Sequence, residues 1–251
     1  AGGHSLIPLM KLRLAAPSLL VDISGLEELR GVEAANGSWR IAGGTRHAEL
    51  QGRDDLGVVA RAASLIADQQ VRNRGTIGGS LAHGDPASDL PAVLLAAEGE
   101  VTARGPSGER QIAAADLFQD YLTTTLAADE VIISVSLPGL EGWSWGYEKF
   151  TRRAEDWAMV GVCALVKVSA GACEDVRIGL THMASTPLRA TAAEDALRGA
   201  QLSAEAISAA AEQGAEGTDP PGDLNATPDY KRHLARVLTR RALAQAAEAG
   251  G

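Results

Sequence analysis

Thr76-Ile77-Gly78-Gly79-Ser80-Leu81-Ala82-His83-Gly84-Asp85-Pro86 is the longer of two glycine-rich stretches in this chain. The shorter one, Ala1-Gly2-Gly3-His4-Ser5, stands at the amino end. Both place paired glycines beside a hydroxyl side chain, and glycine lets backbone N–H groups approach an anion without a Cβ in the way. We therefore predict that the two stretches face each other across one phosphate-binding cleft.

Neither stretch has the spacing of a common nucleotide motif. The patterns G-x-G-x-x-G and G-x-x-x-x-G-K-[ST] are both missing from them, which argues against a Rossmann site and a P-loop. A lone glycine pair would simply indicate a tight turn. Here an amphipathic helix, predicted over 56–67, leads into the pair, and hydroxyls flank it at Thr76 and Ser80. An anion site of another type is the better interpretation.

Composition restricts the class of ligand. The net charge of −9 argues against nucleic-acid binding, which normally needs a basic face. The chain has 2 cysteines and 5 histidines without metal-ligand spacing, so we predict neither a zinc nor an iron–sulfur site here. No apolar run approaches the length of about 20 residues that a membrane span requires.

The first part of the chain alternates helices and hairpins. Its most specific signal is Asn36-Gly37 between two apolar runs, which predicts a hairpin of 31–35 with 39–42. We also expect a buried strand at 19–23, helices starting after Ser5 and Ser88, a helix over 116–122, and a strand over 131–137 that ends at Pro138-Gly139.

After Pro138 the pattern changes. Three strands are predicted at 142–150, 157–168 and 176–183, followed by three alanine-rich helices at 190–199, 203–214 and 229–248. Strands followed by helices indicate an α+β unit. We therefore expect two domains, 1–138 and 139–251, the second being a three-stranded antiparallel sheet covered by three helices.

Several motifs in this order resemble one family. They are Ala1 to Lys11, Val21-Asp22-Ile23, Thr76 to Ser80, Gly84-Asp85-Pro86, and Ser88 to Ala92. The chain as a whole is similar to the FAD-binding medium subunit of the molybdenum hydroxylases, the family of carbon monoxide dehydrogenase and bacterial xanthine dehydrogenase. The resemblance implies a two-lobed FAD-binding domain over 1–138, and a further stretch of chain before Ala1.

The same resemblance implies a set of cofactor contacts. The FAD pyrophosphate would lie between the two glycine-rich stretches, with Asp89 on a cofactor hydroxyl and Lys149 near the flavin. Ile66 and Ile132 would pack against the ring systems. The implied contacts are Ala1, Gly2, Gly3, His4, Ser5, Leu6, Ile66, Thr76, Ile77, Gly78, Gly79, Ser80, Asp89, Ile132 and Lys149. Many members carry Asn at the position of Ser80, so this contact is expected to be the weakest. Neither a catalytic acid–base residue nor a metal ligand is implied.

The implied function is electron transfer within an oxidoreductase complex. A molybdenum cofactor on a large partner subunit and [2Fe-2S] clusters on a small one would deliver electrons to FAD in this chain, which would pass them to a quinone, NAD or oxygen. A dimer of heterotrimers in the cytoplasm, or at the inner face of the membrane, is the expected assembly. Two alternatives stay open: a stand-alone FAD-dependent oxidoreductase, and a non-redox module that binds a phosphate ligand.

Overall fold

The computed structural model describes residues 1–35 and 37–250. The helices are α1 (Leu6–Lys11), α2 (His47–Gln51), α3 (Val58–Ser64), α4 (Gln69–Arg72), α5 (Ile77–His83), α6 (Asp89–Ala96), α7 (Ala114–Leu117), α8 (Thr191–Leu197), α9 (Ala204–Glu212) and α10 (Pro228–Ala249). The strands are β1 (Val32–Ala35), β2 (Ser38–Ala42), β3 (Glu100–Gly105), β4 (Gly108–Ala113), β5 (Phe118–Asp120), β6 (Thr123–Thr124), β7 (Val131–Leu137), β8 (Trp143–Phe150), β9 (Val160–Ser169), β10 (Ala172–Thr181) and β11 (Leu188–Arg189).

An antiparallel five-stranded sheet, in the order β1-β2-β7-β3-β4, organises the first part of the chain. Its central strand β7 carries the apolar residues predicted for a buried strand, among them Ile132, Ile133 and Val135. Helices α3, α5 and α6 pack with this sheet around one apolar core. Helix α5 lies directly against β7, which places the glycine-rich stretch 76–86 beside the middle of the sheet.

The second sheet has the order β11-β10-β9-β8 and is also antiparallel. The three predicted strands are its main members, and the two-residue β11 adds a fourth at the edge, which is too short to leave a periodic signal. The predicted α+β class is confirmed.

The second sheet is covered on both faces. On β9, the alternating residues Val162, Ala164 and Val166 pack into the core under helices α8 to α10, whereas Cys163 and Leu165 pack into the core of the first part. Burial on both faces explains why β9 reads as an almost continuous apolar run. Helix α6 approaches this sheet so closely that a Cβ at Gly179 would lie 2.2 Å from the carbonyl oxygen of Ala92.

Several local predictions were wrong. Residues 19–23 form no strand, and Leu19 and Val21 are exposed. In the segment 116–122, helix α7 ends at Leu117 and β5 follows; Tyr121 and Leu122 are exposed, so a longer helix would not bury them. Helices α1 and α6 do begin directly after Ser5 and Ser88, as predicted, although neither serine side chain makes a capping hydrogen bond. The hairpin of β1 with β2 is confirmed, although Asn36 of its predicted turn lies outside the described residues.

Candidate functional site

Helix α5 begins within the glycine-rich stretch 76–86, directly after a short contact between Thr76 and Arg46. Thr76 forms an antiparallel bridge with Arg46, and its side-chain oxygen accepts a hydrogen bond from the Gly79 N–H at 3.1 Å. The N–H groups of Ile77 and Gly78 donate to the carbonyl oxygens of Thr45 and Gly43. These three amides of the stretch therefore hold the helix start in place and have acceptors within the chain.

The glycines allow three pieces of backbone to meet. A Cβ at Gly78 would lie 2.6 Å from the Gly43 carbonyl oxygen. At Gly2 it would lie 2.1 Å from the carbonyl oxygen of Arg74, two residues before the stretch 76–86. A Cβ at Gly79 would point toward Ala1, 3.8 Å away. The two glycine-rich stretches thus lie against each other, as predicted for two walls of one cleft.

Two cavities open on either side of this junction. The smaller has a volume of about 340 Å³ and the larger about 620 Å³, both in the range of small-molecule sites. Their shared lining residues are Ala1, Gly2, Thr76, Gly79 and Ala82. The two cavities therefore form one elongated cleft with a glycine-rich waist.

The smaller cavity lies toward the first sheet. Gly43 and Gly44 after β2 and Ile132 on β7 form its floor, and Leu26 and Leu29 contribute apolar wall. Arg30, Arg46 and Arg74 also line it, with Glu49 and Glu130 as the acidic members.

The larger cavity lies toward the second sheet. Its lining includes Ser5 at the end of the amino-terminal glycine-rich stretch, Leu6 on α1, Ile66 after α3, and Ser80 and His83 on α5. Trp157, in the connection between β8 and β9, is 58% exposed and lies at the wall of this cavity.

A buried ion pair forms part of that wall. Lys149 on β8 donates to Asp89 Oδ2 at 2.8 Å and to the Leu65 carbonyl oxygen at 2.9 Å, and both charged side chains are only 4% exposed. Tyr147 donates its hydroxyl to Asp89 Oδ1 at 2.6 Å. Burial raises the pKa of Asp89, while Lys149 and Tyr147 act in the opposite direction. The carboxylate and the ammonium therefore reach the cavity as a pre-arranged pair.

His47 is a further buried titratable group of the wall. It is 4% exposed, and its Nδ1 is buried without a hydrogen-bond partner among the described residues. Burial lowers the pKa of His47 to about 4, and the positive charges of His4 and Arg72 contribute. The imidazole is therefore neutral at physiological pH. Its ring packs so tightly on Gly75 that a Cβ there would lie 2.8 Å from Cδ2.

The structure brings together nearly all of the sites predicted from sequence. The predicted residues that line the cleft are Ala1, Gly2, Gly3, His4, Ser5, Leu6, Ile66, Thr76, Gly78, Gly79, Ser80, Asp89, Ile132 and Lys149. Ile77 is the exception, since its side chain is buried in the core beneath α5. Gly43, Gly44, His47 and Trp157 were not predicted. Of these four residues, only Gly43 and Gly44 carried a sequence signal, because they form a glycine pair.

The backbone donors of the first stretch suit an anion at the waist. Within the described part of the chain, the N–H groups of Gly2, Gly3 and His4 donate to no main-chain or side-chain acceptor. Gly3 has φ of +77°, a left-handed conformation that favours glycine. Free amides, nearby arginines and a cavity on each side would suit an elongated ligand with an anionic group in its middle. The residues present fit a dinucleotide such as FAD.

Comparisons with known proteins identify the family. Residues 1–140 match the family described as FAD binding domain in molybdopterin dehydrogenase, and residues 145–246 match the CO dehydrogenase flavoprotein C-terminal domain. The carbon monoxide dehydrogenase medium chain of Hydrogenophaga pseudoflava is 40% identical over 97% of this chain and 86% of its own length. The nicotine 6-hydroxylase medium subunit of Paenarthrobacter nicotinovorans is 38% identical over 98% of this chain and 88% of its own.

A solved structure gives the same result. A chain of the Hydrogenophaga pseudoflava carbon monoxide dehydrogenase that lacks the Mo-pyranopterin moiety superposes with a TM-score of 0.95 at 42% identity, covering 99% of this chain and 88% of that one. The chain belongs to the family of FAD-binding medium subunits of the molybdenum hydroxylases. The predictions of FAD as cofactor and of an oxidoreductase subunit are confirmed. In the ranges 1–35 and 37–250, no group of acidic, histidine or cysteine side chains forms a metal site, and none of the helices is long and apolar enough to cross a membrane.

Proposed function

We propose that this chain carries electrons through FAD, held across the elongated cleft with the pyrophosphate at its glycine-rich waist. The observation that supports this arrangement is that two cavities meet at Ala1, Gly2, Thr76 and Gly79. The adenosine end occupies the smaller cavity and the isoalloxazine the larger one. FAD supplies the redox chemistry when bound. The residues of the chain bind it, orient it and set its electrostatic surroundings.

At the waist, the N–H groups of Gly2, Gly3 and His4 donate to the pyrophosphate. The Ser5 and Ser80 hydroxyls add side-chain donors, and Arg74 adds a positive charge from the wall of the smaller cavity. Thr76 and Gly78 contribute indirectly, since they fix the backbone of the waist through the α5 cap and the contact with Gly43.

In the larger cavity, Leu6 and Ile66 offer apolar surface to the isoalloxazine, and Ile132 does the same for the adenine in the smaller one. Lys149 places a buried ammonium in the wall near the ring, paired with Asp89. A fixed cation near a flavin favours its reduced, anionic state. No residue of the chain needs to act as acid, base or nucleophile.

The proposal extends to domains and partners. The domains are 1–138 and 139–251, supported by family matches that meet between residues 140 and 145. The names of the relatives, medium chain and medium subunit, support a large molybdenum-cofactor partner and a small [2Fe-2S] partner that delivers electrons to FAD. We further propose that the complex is a dimer of heterotrimers and that its electron acceptor is a quinone, NAD or oxygen. Its proposed location is the cytoplasm, which can include the inner face of the membrane. Free buried thiols at Cys163 and Cys173 support a reducing compartment.

The placement of the pyrophosphate is tested with Gly79→Val in the purified complex. A side chain at this position points toward the Thr76 oxygen, 2.8 Å away, and toward Ala1, so it should close the waist and lower the FAD content. Gly52→Val is the matched control, because Gly52 does not line the cleft and a Cβ there would have 3.8 Å of room; its FAD content should equal that of wild type. Equal FAD content in Gly79→Val and wild type would show that the pyrophosphate lies elsewhere.

The partners are tested by isolating this chain from its native host with the proteins that co-purify. Molybdenum, iron and FAD are then measured per chain. We expect all of them in the complex and FAD alone in the isolated chain, with a visible flavin spectrum that dithionite bleaches. A chain that oxidises a substrate without any partner would contradict the proposal, and would favour a stand-alone oxidoreductase.

A further inference from the structure

Tyr147 stands behind the wall of the larger cavity. Its side chain is only 1% exposed, and its hydroxyl makes the 2.6 Å hydrogen bond to Asp89 Oδ1. Asp89 and Lys149 line the cavity, whereas Tyr147 does not. Tyr147 can therefore influence a bound ligand only through the residues in front of it.

The register of β8 explains the geometry. Tyr147 and Lys149 are two residues apart on this strand, so both side chains point to the same face and reach one carboxylate at the first residue of α6. Each oxygen of Asp89 then has its own donor. The Tyr147 bond leaves Oδ2 to Lys149 and fixes the plane of the carboxylate.

We propose that Tyr147 is a positioning residue that holds the Asp89–Lys149 pair ionised and in register at the cavity wall. The inference rests on the proposed function, since it assigns the ammonium of Lys149 to the flavin end of FAD. Tyr147 thus joins Asp89 and Lys149 as a third interacting side chain, and it lies on the second sheet outside the cleft.

The charges around the pair decide what the loss of the hydroxyl would do. Arg61 on α3 and the Cys163 thiol on β9 are the other titratable groups that act on Tyr147, and burial raises the pKa of that thiol to about 12, so it stays neutral. In Tyr147→Phe the carboxylate keeps Lys149 as its only strong donor in a buried site. The pKa of Asp89, already raised by burial, should rise further. When Asp89 takes up a proton, the partner charge of Lys149 disappears and the ammonium is no longer held in place.

The test is FAD binding to the purified full chain as a function of pH, followed by flavin fluorescence quenching. For Tyr147→Phe we expect the dissociation constant to rise about tenfold, the effect of one hydrogen bond to a charged group. We also expect the pH below which binding weakens to move upward, which a simple packing defect would not cause. Tyr230→Phe is the control, because Tyr230 lies exposed on α10. An unchanged affinity and an unchanged pH profile in Tyr147→Phe would overturn the proposal.

The variant Asp89→Asn separates a positioning role of Tyr147 from an effect on folding. In Asp89→Asn no carboxylate is left to titrate, so adding Tyr147→Phe should not move the pH profile further; an additional shift would overturn the proposal. If the wild-type chain binds no FAD, the proposed function fails, and the reactivity of Lys149 toward an amine-labelling reagent in the cofactor-free chain still decides the role of Tyr147. Faster labelling in Tyr147→Phe than in wild type supports it, and equal rates refute it.

Discussion

Acidification should destabilise this protein through His47. The buried imidazole has its pKa lowered from 6.5 to about 4, whereas the unfolded chain has the ordinary value. Between these two pH values the unfolded chain binds more protons than the folded one, so the free energy of unfolding falls as the pH falls. The contribution is fully present above about pH 6.5 and lost below about pH 4. At about 1.4 kcal/mol per pH unit, the loss approaches about 3.5 kcal/mol.

The measurement is urea-induced unfolding of wild type and His47→Gln across this pH range. Glutamine has nearly the volume of histidine and does not titrate, so the variant should show a flatter dependence of stability on pH. His182 also has its pKa lowered by burial, but it is present in both proteins and cancels in the comparison. His233→Gln, at an exposed position on α10, should behave as wild type. Parallel curves for wild type and His47→Gln would refute the reasoning.

Two further substitutions test the packing that builds the cleft. Gly78→Ala should lower the free energy of unfolding in urea by about 1–3 kcal/mol, because its Cβ would lie 2.6 Å from a backbone carbonyl oxygen. Gly52→Ala is the control and should leave this free energy unchanged, because its Cβ would have 3.8 Å of room. Equal losses of stability in the two variants would contradict this account. Lys149→Met leaves Asp89 buried without its cation and should lower stability by about 3–5 kcal/mol at neutral pH. The loss should shrink in acid as Asp89 takes up a proton, whereas Lys167→Met, at a side chain 38% exposed, should cost less than about 1 kcal/mol at either pH.

The sequence predicted the strongly periodic elements and failed where tertiary contacts decide. Strand β7 and the second sheet were predicted because long apolar runs leave few alternatives. Residues 19–23 are also mostly apolar, yet they form no strand, and Leu19, Leu20 and Val21 are exposed. Composition alone does not distinguish a buried strand from a segment of this kind, because the difference lies in what covers it.

In the cleft, too, some residues could be predicted from the sequence and others depend on tertiary contacts. Glycine pairs and hydroxyls marked the waist because close backbone approach leaves a signature in the sequence. His47 and Trp157 left none, since one is an ordinary helix residue and the other an ordinary loop aromatic until the fold places them at the cavity wall. Asp89 and Lys149 were each predicted as contacts of FAD, but their direct ion pair depends on the packing of α6 against the second sheet, which no local pattern reports.

That ion pair ties the cleft to the second sheet. Asp89 begins α6, which packs on β9 and β10, and its two oxygens are held by side chains of β8. A shift of the second sheet relative to α6 would therefore break a buried pair at the cavity wall, with the cost of leaving a charge unpaired. Most lining residues of the cleft belong to the first part of the chain, but the second part contributes Lys149 and Trp157 to the larger cavity and thereby helps to set its electrostatics. A variant that loosens the contact between α6 and the second sheet should weaken FAD binding even though it touches no residue of the cleft.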